Sequence, residues 1–313
     1  PLITFQESET SHLFLKDWDW NYKDRQKGLV QDNVASVLTD LSPTADKISA
    51  SNIFAVMPNR SATNSTLAAS DPHTKLSAPS EYYLANLNLE NGPVIGATLP
   101  GVPAILIGKS KKIGWGLSNA FIDDQDLYIE KLNPENPKQY LTESGPLNFI
   151  EKKEIIKVKG GDSLTIRIRS TKNGPILPKT AFGIEEITPD GHEISLSWTG
   201  FEKNDRSLES LISLTRAKNI NDARENFYSY IAPGQNLMLV DKNNIMMKTI
   251  GKVPKRSSSN STKGKFPSLG WQEKNSWQGF FSFQNNPIIE NPESGVIINT
   301  NNKITDQSFP SHI

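Results

Sequence analysis

Ser51-Asn52-Ile53-Phe54-Ala55-Val56-Met57 sets a small nucleophilic side chain and an amide directly ahead of an apolar run of strand length. Outward from it, runs of the same kind recur at Tyr82 to Leu89, Val94 to Thr98, Ala104 to Ile107 and Asp126 to Ile129. They continue at Ile155 to Val158, Leu164 to Ile168, Asn236 to Val240 and Ile245 to Ile250. Asn91-Gly92-Pro93, Pro100-Gly101 and Gly160-Gly161-Asp162 punctuate them with residues that favour turns. Two helical patterns interrupt the strands: Leu208, Leu211, Ile212 and Leu214, then Ala223, Phe227 and Ile231 behind a cap predicted at Asn221. The polar stretch Ser257 to Lys265 predicts a mobile surface loop. Ahead of Ser51 the composition differs. Trp18, Trp20 and Tyr22 lie in a charged stretch, and Val30, Val34, Val37 and Leu38 follow at helical spacing until Ser42-Pro43 breaks it. The pattern predicts a short preceding segment, 1–50, and an α+β body over 51–313 built mainly on antiparallel sheets.

The 313 residues can bury a sizeable core. Lysine plus arginine balances aspartate plus glutamate at 34 each, so no global field draws the chain to nucleic acid or an anionic membrane. Cysteine is absent, which excludes disulfides, thiolate catalysis and cysteine metal sites. No apolar run approaches the ~18 residues that span a bilayer, and Pro1 opens no basic-then-apolar leader. Histidine occurs at 12, 73, 192 and 312, and there is no G-x-S-x-G elbow. A Ser-His-Asp triad therefore has few ways to be assembled. A serine needs no histidine if the peptide bond before it is cut, because its own α-amine has a pKa of about 7.7–8, near what a general base requires. Taken alone, Ser51 reads as a polar residue ahead of a strand.

Ten phrases in series change that reading. They are Ser51-Asn52, Ala69-Ser70-Asp71-Pro72-His73, Ser77-Ala78-Pro79-Ser80, the run Gly96 to Gly101, Gly114-Trp115-Gly116-Leu117-Ser118-Asn119 and the run Asp123 to Tyr128. Asn173-Gly174-Pro175, Ala232-Pro233-Gly234-Gln235-Asn236, the run Gly251 to Arg256 and Asn301-Asn302 complete them. In this order, over residues 51 to 313, the chain resembles the β-chain of penicillin acylases, members of the N-terminal nucleophile (Ntn) hydrolases. The resemblance implies a four-layer αββα sandwich of mainly antiparallel sheets and an amidohydrolase whose nucleophile, Ser51, is freed by autocatalytic cleavage of the Ala50–Ser51 bond. Asn119, through its backbone N–H, and Asn236, through its side-chain amide, match the oxyanion donors. His73 matches a position that contacts the nucleophile, and Arg256 one that organises the oxyanion asparagine and the amine. Thr74, Leu106, Ile107 and Leu117 match acyl-pocket positions, and their aliphatic character suits a flexible acyl chain.

The same resemblance implies one structural calcium ion held by Asp123, Asp126 and the Gln125 carbonyl. An acidic turn in water would look identical in sequence, although oxygen-rich clusters do suit a hard cation. No organic cofactor is implied. The expected substrate is a small acyl amide such as a penicillin or cephalosporin side chain, an acyl-homoserine lactone or an acylated peptide. Family precursors carry a longer helical α-chain before the nucleophile and a further helical portion after the stretch matching Asn301-Asn302, so an α-chain and C-terminal parts of a larger precursor are expected partners. Family members are exported, which implies a periplasmic or secreted protein. Phe54 stands where tryptophan is usual, Ala50 where glycine or threonine is common, Thr74 where a large apolar residue is common, and Lys109 where histidine often occurs. The alternatives are a family member that folds uncut and serves as a binding module, or a conventional hydrolase in which Ser51 plays no part.

Overall fold

A computed structural model of the chain describes residues 50–74, 77–180, 183–260 and 262–305. The helical pattern predicted between Val30 and Leu38 lies outside them. In chain order the strands are β1 (Ala50–Val56), β2 (Leu67–His73), β3 (Tyr83–Leu89), β4 (Gly92–Thr98), β5 (Ile107–Lys109) and β6 (Gly114–Asn119). Next come β7 (Gln125–Lys131), β8 (Gln139–Thr142), β9 (Gly145–Asn148), β10 (Ile150–Ile156), β11 (Leu164–Thr171) and β12 (Gly174–Pro175). The helices α1 (Ile184–Ile187), α2 (Ser207–Ser213) and α3 (Ile220–Glu225) flank β13 (His192–Trp198). The last strands are β14 (Gln235–Val240), β15 (Ile245–Ile250), β16 (Ser268–Leu269), β17 (Ile288–Glu290) and β18 (Val296–Asn299). Two compact units result. Of the described residues, one holds 50–124, 202–253 and 280–305, and the other holds 125–201 and 254–279.

The first unit stacks a seven-stranded sheet, ordered β17-β15-β14-β6-β5-β4-β3, on a three-stranded sheet, β18-β1-β2. Alternation along each strand decides what faces where, because successive side chains point to opposite faces. On β14, Leu237 and Leu239 join Trp115, Met246 and Ile250 against Leu214, Ile220, Ala223 and Phe227 from the helical stretch. On the other face, Met238, Val240, Ile245 and Met247 pack on Ile53, Ala55 and Ile297. Helix, sheet and sheet are thus three layers of the expected αββα order. Phe54, Leu67 and Ile298, on the outer face of β18-β1-β2, are exposed. The two sheets close most tightly at Gly116, where an added Cβ would stand 2.8 Å from Cβ and Oγ of Ser70 on β2. Backbone approach of that kind excludes any larger residue at 116.

Several boundaries differ from expectation. The cap of α3 is Asn219, whose extended backbone lets its side chain accept from the N–H of Asp222, and Asn221 lies inside the helix. β2 carries no apolar alternation, and its Pro72 would exclude it from a central position. Among the described residues it is an edge strand, paired with β1 alone, where proline is tolerated. The Ser257 to Lys265 stretch is not a free surface loop: Asn260 and Thr262 are buried, and the Asn260 side chain accepts from the N–H groups of Thr262 and Lys263.

Lys248 sits on the helix-side face of β15, buried, donating to the Asn286 carbonyl at 3.0 Å and lying over the Phe283 ring. Burial lowers its ammonium pKa to about 8, and the charge of Arg224 acts in the same direction. The folded pKa is below the unfolded value of 10.5, so between about 8 and 10.5 the unfolded chain holds the proton and stability rises with pH. Below that window the full cost of burying the charge is present. Relative to Lys248→Met, wild-type stability should therefore rise on going from pH 7 to about 10.5, with a limiting slope of about 1.4 kcal/mol per pH unit. Urea unfolding of both proteins across that range measures it, and parallel pH profiles would refute the buried-charge account.

The second unit pairs β13 antiparallel and β16 parallel with β7, and adds the hairpins β8-β9 and β10-β11-β12. Leu127, Ile129, Ile184, Ile187, Ile194 and Leu269 form its core. Glu130 is fully buried there, one carboxylate oxygen accepting from Thr171, Asn173 and Ser195. Among the described residues, no helix is long and apolar enough to cross a membrane.

Candidate active site

Ser51 is the second residue of β1, and its burial follows the strand's alternation: Ser51, Ile53 and Ala55 point inward, Asn52 and Phe54 outward. Among the described residues, none hydrogen-bonds to its hydroxyl. Its backbone is held from the turn after β18, where Asn301 Oδ1 accepts from the Ser51 N–H at 3.1 Å and Asn301 Nδ2 donates to the Ser51 carbonyl at 2.8 Å. The strand runs straight through the Ala50–Ser51 bond, with Ala50 opposite His73 and Ser51 opposite Pro72.

Asn236 occupies the inter-sheet face of β14, in line with Met238 and Val240, so it faces the same layer as Ser51. It is 2% exposed. Thr249, its cross-strand neighbour on β15, donates to Asn236 Oδ1 at 2.9 Å, and Asn236 Nδ2 donates to the Asn119 carbonyl at 3.3 Å. One oxygen and one N–H are thereby committed, which fixes the amide plane and leaves the second N–H of Nδ2 for a bound group. Asn119 closes β6 opposite Gln235, whose side chain donates to Asn119 Oδ1 at 3.2 Å. Next to it, Ser118 donates to Asn299 Oδ1 at 2.7 Å, and that oxygen also accepts from the Asn301 N–H. Two side chains, Asn299 and Asn301, thus join β6, the strand that ends in Asn119, to the backbone of Ser51. Thr249, Ser118, Asn299 and Asn301 were not among the residues singled out from sequence as functional. The Asn301-Asn302 phrase and the asparagine density of 299–302 were the signal.

His73 pairs by backbone beside Ala50, but its ring is on the outer face, bonded to Asp71 at 2.8 Å, and does not meet Ser51. Thr74, Leu106 and Ile107 are half-buried. Leu117 falls on the opposite face of β6 from Gly116 and Ser118 and packs against the helix-side core. Arg256 belongs to the second unit, where its guanidinium makes three hydrogen bonds of 2.9–3.2 Å to the Asp126 carboxylate and reaches the Gln125 carbonyl. The Trp277 indole donates to the same carboxylate at 2.5 Å. Gly264, at φ +82°, lies over this pair so closely that a Cβ would meet Arg256 Nε at 2.4 Å. A bidentate pair shielded this well is held strongly. Of the groups expected to hold calcium, Asp126 gives both oxygens to an arginine and an indole, and Gln125 gives its carbonyl to the same arginine. Among the described residues, no cluster of three or more histidine, cysteine, aspartate or glutamate side chains is arranged to hold a metal.

Comparison with known proteins gives a consistent result. The family model described as penicillin amidase matches residues 5–313. The acyl-homoserine lactone acylase QuiP of Pseudomonas syringae pv. syringae is 30% identical over 297 residues, 91% of this chain and 35% of that protein. The penicillin acylase 2 proenzyme of Pseudomonas sp. strain SE83 is 26% identical, over 84% of this chain and 33% of that protein. The chain thus spans about a third of the length of the curated relatives it matches. A thermostable penicillin G acylase from Alcaligenes faecalis superposes with a TM-score of 0.72 over 83% of this chain and 46% of that one, at 24% identity, which shows a shared fold.

Proposed function

Since the chain belongs to the penicillin amidase family, we propose that it hydrolyses an acyl amide through Ser51, made N-terminal by self-cleavage of the Ala50–Ser51 bond. The observation that carries this reading is the pairing of an unencumbered, inward-facing Ser51 hydroxyl with an Asn236 amide fixed on the facing sheet. In self-cleavage, Ser51 Oγ bonds to the Ala50 carbonyl carbon, the C–N bond breaks, and the hydroxyl proton passes to the departing nitrogen. Water then hydrolyses the ester and leaves a free α-amine on Ser51. In turnover, that amine takes the hydroxyl proton as Oγ adds to the substrate carbonyl, and hands it to the leaving amine as the amide C–N bond breaks. Asn236 Nδ2 and the Asn119 N–H stabilise the intermediate's oxyanion. Water, deprotonated by the same amine, resolves the acyl-enzyme.

Half-buried Leu106 and Ile107 favour an aliphatic acyl group over an aromatic one. Relatives named acyl-homoserine lactone acylase and penicillin acylase point to fatty-acyl homoserine lactones ahead of β-lactam side chains. Family membership supports action in the periplasm or outside the cell, with further chain from a larger precursor completing the enzyme. Intact mass of freshly purified protein under denaturing conditions tests the reading. Fragments ending at Ala50 and starting at Ser51 are expected, together with release of free acid from a medium-chain acyl-homoserine lactone. A single uncut chain without acyl-enzyme would replace it with a binding module.

A further inference from the structure

The side chain of Asn301 meets both backbone polar groups of the proposed nucleophile, accepting from its nitrogen and donating to its carbonyl. This two-point clamp exists because Asn301 adopts φ +68°, a left-handed conformation that asparagine tolerates better than most residues. The conformation is itself braced. Asn299, fully buried at the end of β18, accepts from the Asn301 N–H at 3.0 Å and donates to the Asn302 carbonyl at 2.7 Å. Ser118 on β6 ties Asn299 to the facing sheet. A peptide N–H in a strand needs a single acceptor, and a ladder carbonyl would normally supply it. Here a side chain does so, and it stays in place as a partner if the strand is cut at Ala50–Ser51.

We infer that Asn301 is a positioning residue for the Ser51 α-amine: its Oδ1 holds one N–H of that amine, so that the lone pair is turned toward Ser51 Oγ, while its Nδ2 anchors the adjoining carbonyl. The inference rests on the amide-hydrolysis reading above and adds to it the group that aims the base. A free α-amine can rotate about its N–Cα bond, and only one rotamer directs the lone pair at the hydroxyl proton. A fixed acceptor selects it, and misplacement of a base by 1 Å can cost 100-fold. On the inward face beside Ser51 stand Ser70 and Pro72 on β2, Gly116 and Ser118 on β6 and Asn236 on β14, none of which titrates near neutrality. Asp71 and His73 lie on the outer face of β2. A carboxylate introduced at 301 would therefore be the one new charge next to the amine.

The test compares wild type, Asn301→Ala and Asn301→Asp by intact mass, circular dichroism, and the pH profile of kcat/KM on an acyl amide. The Ser51 amine is also titrated directly, through the pH dependence of its trace acetylation by labelled acetic anhydride. Asn301→Ala should lower kcat by about 10- to 100-fold with little change in KM. Asn301→Asp should raise the amine pKa, and with it the acidic limb of kcat/KM, by about one unit or more, because an adjacent carboxylate favours the ammonium form. A folded variant that stays uncut also supports the assignment, since the same contact holds the scissile nitrogen. Cleaved, folded variants whose acidic limb and amine pKa match wild type would overturn it and leave Asn301 a structural turn. If wild type itself shows no Ser51 terminus, the amide-hydrolysis reading fails instead, and the two failures are told apart by that single mass.

Discussion

Ser51→Ala should give a single uncut chain and no measurable acyl-amide hydrolysis, a loss of at least about 10⁴-fold, while unfolding at nearly the wild-type denaturant concentration. The activity loss follows from chemistry. Self-cleavage and turnover both require Oγ to bond to a carbonyl carbon, and alanine supplies no atom to do so. The preserved stability follows from the structure. The Ser51 hydroxyl takes part in no hydrogen bond among the described residues, whereas both bonds from Asn301 go to backbone atoms that alanine retains. Alanine at 51 also fits the inward face already occupied by Ile53 and Ala55. A substitution of this kind should shift stability by about 1 kcal/mol or less. Ser51→Cys separates the two roles: it keeps a nucleophile of similar size, so the chain should still be cut at position 51, with altered turnover. Near-wild-type hydrolysis by Ser51→Ala would remove Ser51 from the mechanism and point to a different serine.

The sheets were legible where strands are buried on one or both faces. Asn236 to Val240 and Ile245 to Ile250 match β14 and β15 to within a residue, because a central strand covered on both sides is a continuous apolar run. β2 was illegible for the opposite reason. Leu-Ala-Ala-Ser-Asp-Pro-His has neither alternation nor β-branched residues, and its pairing with β1 makes it a strand. The asparagines assigned to the oxyanion were found through resemblance, and their burial and fixed partners were not in it. Asn236 is held by Thr249, thirteen residues away across a hairpin, and Ser51 by Asn301, 250 residues away. Pairings at that separation depend on sheet register, which a one-residue slip would invert. The acidic run at 123–126 shows the converse: its composition suited a cation, and composition gave no sign of the distant arginine, Arg256, and the indole, Trp277, that bond to Asp126.

The register also sets the second large effect, at Asn236. Asn236→Ala should lower kcat by about 10²- to 10³-fold, equivalent to roughly 3–4 kcal/mol, with KM for the acyl amide nearly unchanged. The split arises because the amide N–H meets an oxygen that carries full charge only in the tetrahedral intermediate, so ground-state binding hardly feels its removal. Stability should fall as well, by about 1–3 kcal/mol, since Thr249 Oγ1 and the Asn119 carbonyl each lose a buried partner. Unfolding measurements record that cost separately, and a protein still folded at assay temperature makes the kcat loss interpretable. Asn236→Asp sharpens the argument. It can keep the bond from Thr249 and the side-chain volume, but it replaces the donor with an acceptor and sets a negative charge beside the oxyanion, so its kcat should fall at least as far as that of alanine. Thr249→Val removes only the hydroxyl that fixes the amide and should cost about 10-fold, a tenth of the larger loss or less. If Asn236→Asp instead kept wild-type kcat, the donor would have to lie elsewhere, and β14 would be a wall of the site with no part in its chemistry.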